Sequence, residues 1–260
     1  MIQPKFYSQN GEDYLLWSFF DGKTDGFYVD IGAFDGIHFS NTYAFERLGW
    51  DGICVEPNPE IFACCLRNRP KAVCLNKACT GDPQQKTVRL FVDEMGLLST
   101  SIIDANRIKD IEYRYRKRGL EFKGLNEIEV AACTIDKMLA QYGPKNGEID
   151  FLSLDVEGGE IGLLESIDFH QHGIRIIVVE FDKTDEGKML QVLLKKGNYR
   201  FVRQTTNNSI FVKEAADFEK MKSISLNCRI EGQMHPKGIL YTPPRIRKER
   251  TIKDGKIIWE

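Results

Sequence analysis

Apolar positions along the chain gather into short runs separated by helical patterns. Near-continuous apolar runs at Phe27–Ile31, Gly52–Val55, Val73–Leu75, Phe151–Leu154 and Ile174–Phe181 predict strands of the kind a parallel sheet buries on both faces. Between them, Asn41–Leu48, Glu60–Asn68, Thr134–Tyr142, Glu160–Ile167 and Glu186–Lys196 read as helices. Such alternation predicts a doubly wound α/β fold. Asn58 is placed as an N-cap ahead of Pro59, and Gly197 in "KKGN" as a left-handed C-terminal cap.

After Asn198 the pattern changes. "YRFVRQTTNNSIFVK" holds two β-patterned runs around "TTNN", which predicts a hairpin rather than another crossover. Two further segments stand outside the alternation. Residues 86–130 carry a strand-like "KTVRLFVD", a "GLLSTSI" loop and a basic stretch from Arg107 to Arg118, expected as an insertion that either caps the substrate site or is a solvated helix face. Beyond Glu214 the hydrophobic density falls, and Asp254-Gly255 between two alternating runs predicts a type I′ hairpin. The expected organisation is a domain over residues 1–213 with an extension over 214–260.

Composition narrows the function. With 260 residues and 42% hydrophobic positions the chain can bury a sizeable core, and its formal net charge of −2 argues against a dedicated nucleic-acid binder. Seven cysteines without C-x-x-C spacing predict reduced, mostly buried thiols rather than a disulfide framework or zinc site. No apolar run reaches the length of a membrane span and the N-terminus lacks a signal-like apolar region, so a cytoplasmic protein is expected. Homo-oligomerisation is left open.

The chemistry starts at "YVDIGAFDG". A strand delivers the chain to Gly32, where a glycine permits a tight turn and close backbone approach to a ligand. Asp30 and Asp35 would repel a pyrophosphate at the following helix terminus, so they argue for a cationic or hydroxyl-bearing ligand. S-adenosylmethionine fits, having an ammonium, a sulfonium and ribose hydroxyls but no phosphate. Glu56, at the end of the next strand, is placed to accept ribose hydroxyls. An α/β sheet whose last strand returns antiparallel is also typical of S-adenosylmethionine-dependent methyltransferases, an analogy at the level of fold.

Taken together, "SQNGED", "GFYVDIGAFDG", "SNTYAFERLGWDGICVEPNP", "NRP" and "IDFLSLDVEGGE" resemble the FkbM family of methyltransferases, from about Tyr7 to Val212. The resemblance implies a class I, Rossmann-like methyltransferase sheet, mostly parallel with an antiparallel terminal hairpin strand, that binds S-adenosylmethionine. It further implies O-methylation of a saccharide, glycoconjugate or hydroxylated metabolite. Asp30, Gly32 and Asp35 are carried over to the methionine end of the cofactor and Glu56 to the ribose. Gln9, Asn10, Ala33, Gly36, Ser40, Asn41, Pro57, Asn58, Ala78 and Asp155 complete the cofactor-binding candidates. For "SQNGED" two readings stand: helix capping by Ser8 or Asn10, or a segment folded over the cofactor.

Methyl transfer to an aliphatic hydroxyl needs in-line alignment and a group that takes the proton, or a metal that stabilises the alkoxide. Strand ends supply the candidates: Asp155 first, then Glu157, Glu180 and His38 as catalytic groups. Asp155 with Glu180 or Asp182 is also placed as an all-oxygen magnesium site. Two rival classes remain at this stage, a nicotinamide-dependent oxidoreductase and a non-catalytic module that keeps the pocket and binds an acidic partner through the basic insertion.

Overall fold

The structure is a computed structural model that describes residues 4–94, 99–101, 103, 105–117, 119–180, 186–206, 208–230, 250–253 and 256–259. In chain order the elements are α1 (Glu12–Phe19), β1 (Phe27–Ile31), α2 (Tyr43–Leu48), β2 (Asp51–Val55), α3 (Pro59–Asn68), β3 (Val73–Leu75) and β4 (Ala78–Cys79). The insertion follows as β5 (Thr87–Asp93), β6 (Ser99–Thr100), α4 (Ala105–Lys117) and β7 (Leu125–Cys133). Alternation then resumes with α5 (Ile135–Tyr142), β8 (Glu148–Leu154), α6 (Glu160–Ser166), β9 (Gly173–Glu180), α7 (Glu186–Gly197), β10 (Arg200–Gln204) and β11 (Asn208–Val212). Last come α8 (Ala215–Ser223), β12 (Asn227–Ile230), β13 (Arg250–Lys253) and β14 (Lys256–Trp259).

Seven strands form the main sheet in the order β10-β11-β9-β8-β1-β2-β3. β11 runs antiparallel to both β9 and β10, while β9, β8, β1, β2 and β3 pair in parallel. This is the class I methyltransferase arrangement, and the expected terminal hairpin is present. Strand order reverses between β1 and β8, which makes their carboxyl ends the crevice where an open α/β sheet binds its ligand.

The sheet is buried on both faces by alternate side chains. Tyr28, Phe151, Ile176 and Val178 join Phe6, Leu16, Phe45 and Trp50 in one core cluster. Their neighbours Val29, Leu152, Ile177 and Val179 point the other way, toward Met138, Leu164 and Leu193. Successive residues of a strand face opposite sides, so an unbroken apolar run is what a sheet covered on both faces requires. Met221, Leu226, Cys228 and Ile230, which follow residue 213, also lie in the first cluster.

Some local expectations are corrected. Asn58 caps α3 as expected, its side chain accepting from the Glu60 N–H. Gly197, however, is the last helical residue of α7, and Asn198 takes the left-handed conformation with φ 56°. A Cβ on Gly197 would lie 2.4 Å from the Tyr199 ring, so packing is what excludes a side chain there. At α1 the N-cap residue is Gly11, with φ 86°, rather than Ser8 or Asn10. Ser8 still serves that turn, its Oγ accepting from the N–H groups of Gly11 and Asp13. All seven cysteines are free; Cys54, Cys65, Cys133 and Cys228 are buried, while Cys64, Cys74 and Cys79 are partly exposed. The strands flanking the expected C-terminal turn pair as β13 and β14, with Asp254 and Gly255 themselves outside the described residues. Among the described residues no helix is long and apolar enough to cross a membrane.

Candidate active site

The glycine loop is built where three chain segments meet. As β1 ends, the N–H groups of Gly32 and Ala33 both donate to the Val55 carbonyl at 2.9 Å, and the Asp155 N–H donates to the Ile31 carbonyl at 2.9 Å. Gly32 has φ +87°, and a Cβ there would sit 1.6 Å from the Asp155 carbonyl oxygen. The close approach anticipated at Gly32 is therefore made by protein backbone. This contact locks the loop after β1 to the loop after β8, and so joins the two halves of the crevice.

Three carboxylates surround that loop. Glu56 accepts from the Phe34 N–H through Oε2 at 3.0 Å and from the Asn58 N–H through Oε1 at 2.8 Å. Burial, reinforced by the negative charges of Asp30 and Asp35, pushes its carboxyl up to about 7 despite these bonds. Asp30 accepts from the Thr42 hydroxyl at 2.5 Å and is also pushed up to about 7, chiefly by burial, against the pull of Arg69. Asp35 differs. Burial would raise it, but the His38 ring and the N–H groups of His38 and Ile37 outweigh that and hold it below the usual range. Its Oδ2 lies 2.6 Å from His38 Nδ1, and its Oδ1 accepts from the Ile37 and His38 N–H groups. Asp35 thus shapes the turn that carries His38.

The remaining cofactor candidates fall into two groups. Asn41 is buried beside β8, donating to the Ser153 hydroxyl at 3.0 Å, and its Oδ1 has no partner among the described residues. Ala33 and Ala78 are buried small side chains, and Gln9 is half-buried. By contrast, Ser40 is occupied in capping, accepting from the N–H groups of Thr42 and Tyr43. The Pro57 carbonyl accepts from Asn76, and Asn10 donates to Glu12 through its N–H and its side chain. Ser8 forms a parallel bridge with Phe39, and Glu12 accepts from Thr205 and Asn208 beside the end of β9. The "SQNGED" segment therefore spans the carboxyl end of the sheet.

Sequence reasoning assigned no role to Arg69, the buried cation of this region. Its partners Glu46 and Gly36 lie 23 and 33 positions away, too far for any local pattern to reveal. The "NRP" motif was the available signal.

At and just past the ends of β8 and β9, Asp155, Glu157 and Glu180 each present a carboxylate oxygen within 4.8 Å of the others. Asp155 follows β8, Glu180 ends β9, and Asp182 lies outside the described residues. Asp155 Oδ1 is shut off from solvent and has no partner among the described residues. Burial, then the charges of Glu180 and Glu157, raise the Asp155 carboxyl well above the usual range; burial likewise raises Glu180. Both carboxyls therefore hold a proton more readily than a free carboxyl does. Glu157 takes another path, with backbone φ 57°. Its carboxylate pairs with Arg107 of α4, and its carbonyl accepts from Arg107 at 3.0 Å and from Thr100 at 2.9 Å. The insertion therefore docks on the acid cluster, and its Arg107 guanidinium balances one of the negative charges. His38 lies at the glycine loop and not in this cluster.

Solved structures of modest similarity to the chain include three methyltransferases. One is a TehB-like SAM-dependent methyltransferase from Corynebacterium glutamicum, 12% identical, with a TM-score of 0.41, covering 80% of this chain and 89% of that one. Another is a putative RNA methyltransferase from Pyrococcus horikoshii, 12% identical, with a TM-score of 0.42, covering 78% and 83%. The third is a precorrin-6y C5,15-methyltransferase from Geobacter metallireducens, 12% identical, with a TM-score of 0.39, covering 77% and 85%. Comparison with curated protein sequences gives no significant match. The model of the methyltransferase FkbM domain matches residues 30–201, which take in the end of β1 with its glycine loop, the insertion and the acid cluster, and the chain belongs to the FkbM methyltransferase family.

Proposed function

We propose that the chain transfers a methyl group from S-adenosylmethionine to a hydroxyl oxygen of a saccharide, glycoconjugate or hydroxylated metabolite. The observation that carries this reading is the convergence of Asp155, Glu157 and Glu180 beside the glycine loop, with Asp155 backbone touching Gly32. A proton-accepting pair thus adjoins the loop that would hold the methyl donor. The donor fits the loop's chemistry: the carboxylates of Asp30, Asp35 and Glu56 suit a cation and ribose hydroxyls, and Asn41 Oδ1 is a buried acceptor awaiting a donor. When bound, S-adenosylmethionine supplies an electrophilic methyl on a positively charged sulfur.

The protein's share is alignment, desolvation and proton removal. Burial raises the basicity of the Asp155 and Glu180 carboxylates, and such a carboxylate, when ionised, can accept the hydroxyl proton. Arg107 holds Glu157 in place, and the insertion covers that end of the site. Magnesium at Asp155 and Glu180 would do the same work by stabilising the alkoxide, but Arg107 already supplies a positive charge to the cluster. Proton transfer to these carboxylates is therefore preferred.

Incubation with isotope-labelled S-adenosylmethionine and a library of glycans and hydroxylated metabolites, read by mass spectrometry, tests the proposal. A labelled methyl on an acceptor oxygen, unaffected by chelator, is expected. Transfer only to nitrogen or carbon, or loss of activity on chelation with restoration by magnesium, would overturn the respective part.

A further inference from the structure

The "NRP" motif closes α3, and its first two side chains turn away from that helix toward the glycine loop. Asn68 Nδ2 donates to the Asp35 carbonyl at 2.8 Å. Arg69 is fully buried, and its side chain bonds to residues between Gly36 and Glu46. Its Nε donates to Glu46 at 2.7 Å; one terminal nitrogen donates to the Gly36 carbonyl at 2.8 Å and to Ser40 Oγ at 3.2 Å; the other donates to Thr42 Oγ1 at 2.8 Å. Thr42 in turn donates to Asp30. The guanidinium also lies 5.2 Å from the Tyr28 ring centroid and 5.6 Å from that of Tyr43. A Cβ on Gly36 would meet Arg69 Cγ at 2.6 Å, so this glycine makes room for the arginine.

A buried cation is retained only where its partners match its geometry, and here the planar fork reaches several acceptors at once. Those acceptors belong to the segment that carries Asp35, Gly36 and Asn41. We propose that Asn68 and Arg69 are positioning residues of the cofactor site, bracing the successive carbonyls of Asp35 and Gly36 and, through Thr42, the Asp30 carboxylate. The loop is thereby shaped for the amino-acid end of an adenosyl-amino-acid ligand before the ligand arrives. This rests on the reading that the glycine loop binds S-adenosylmethionine.

The test is calorimetric titration of the full chain with S-adenosylhomocysteine and with 5′-methylthioadenosine, which keeps the adenosine and thioether but lacks the amino-acid moiety. Asn68→Ala and Arg69→Lys should weaken S-adenosylhomocysteine binding by about tenfold, the scale of one lost polar interaction, while leaving 5′-methylthioadenosine within about twofold of wild type. Should Arg69→Lys fail to fold, Asn68→Ala carries the comparison. Glu56→Ala, at the ribose end, should weaken both ligands. Unchanged S-adenosylhomocysteine affinity in Asn68→Ala, or an equal loss for both ligands, would overturn the brace and leave a purely structural role. Absence of binding of either ligand to wild type would instead sink the pocket reading, and the brace with it.

Discussion

At Gly32 a single missing carbon decides the shape of the site. With φ +87° and the Asp155 carbonyl 1.6 Å from the position of a Cβ, Gly32→Ala should cost about 3 kcal/mol or more, seen as a lowered Tm and lost cofactor binding. The tight turn could be read from the sequence, but its neighbour could not, because the two residues are brought together only by the pairing of β1 with β8. Asp35 shows the same limit: its charge was legible, whereas its engagement with His38 depends on the turn's geometry. A second prediction concerns pH. Asp30 and Glu56 are raised to about 7 in the folded chain, so between their ordinary values and 7 the folded state binds more protons than the unfolded one. Their contribution to the stability of the ligand-free protein is present at low pH and falls as pH rises through that window. A cationic ligand favours their ionised forms. The affinity for S-adenosylhomocysteine, which carries the ammonium, relative to 5′-methylthioadenosine, which lacks it, should therefore increase about fivefold from about pH 6 to about pH 8. Titration calorimetry at several pH values measures this ratio, and a flat profile would remove these carboxylates from the cation site.

Among the elements, the insertion is where sequence and structure parted most. Its basic character was plain, but whether it capped the site or merely faced solvent could not be decided without knowing where α4 docks. One face of the helix docks on the acid cluster and another faces solvent. Arg107 pairs with Glu157, and Ile111 and Tyr115 are buried inward, while Arg116 and Lys117 are exposed. Arg114 is shared between Asp110 at 2.8 Å and Glu157 at 4.0 Å. Arg107→Gln should raise the acceptor KM by about tenfold, with S-adenosylmethionine affinity retained and partial recovery in Arg107→Lys. Charge reversal at Arg116 and Lys117 should do less, because exposed charges are screened. Steady-state kinetics on a common acceptor ranks these variants; a larger effect from the exposed pair would move acceptor binding to the outer face of α4.

For the whole molecule, the alternation of apolar runs was enough to anticipate the doubly wound sheet, because strands covered on both faces have little choice but to be continuously apolar. The terminal hairpin was legible for a similar reason. Less legible was how far the core extends, since Met221, Leu226, Cys228 and Ile230 reach the first core cluster from a stretch of low hydrophobic density. The fold brings the carboxyl ends of β1, β2, β8 and β9 to one edge, and with them the glycine loop and the acid cluster. Their cooperation is the central claim, and single-turnover methyl transfer by wild type and Asp155→Asn on the same acceptor tests it most directly. Because Asn keeps the shape but has no carboxylate to accept a proton, the rate should fall about 100-fold or more while S-adenosylmethionine affinity stays at the wild-type value. A rate within a few-fold of wild type would contradict the claim and take proton removal away from the Asp155–Glu180 pair.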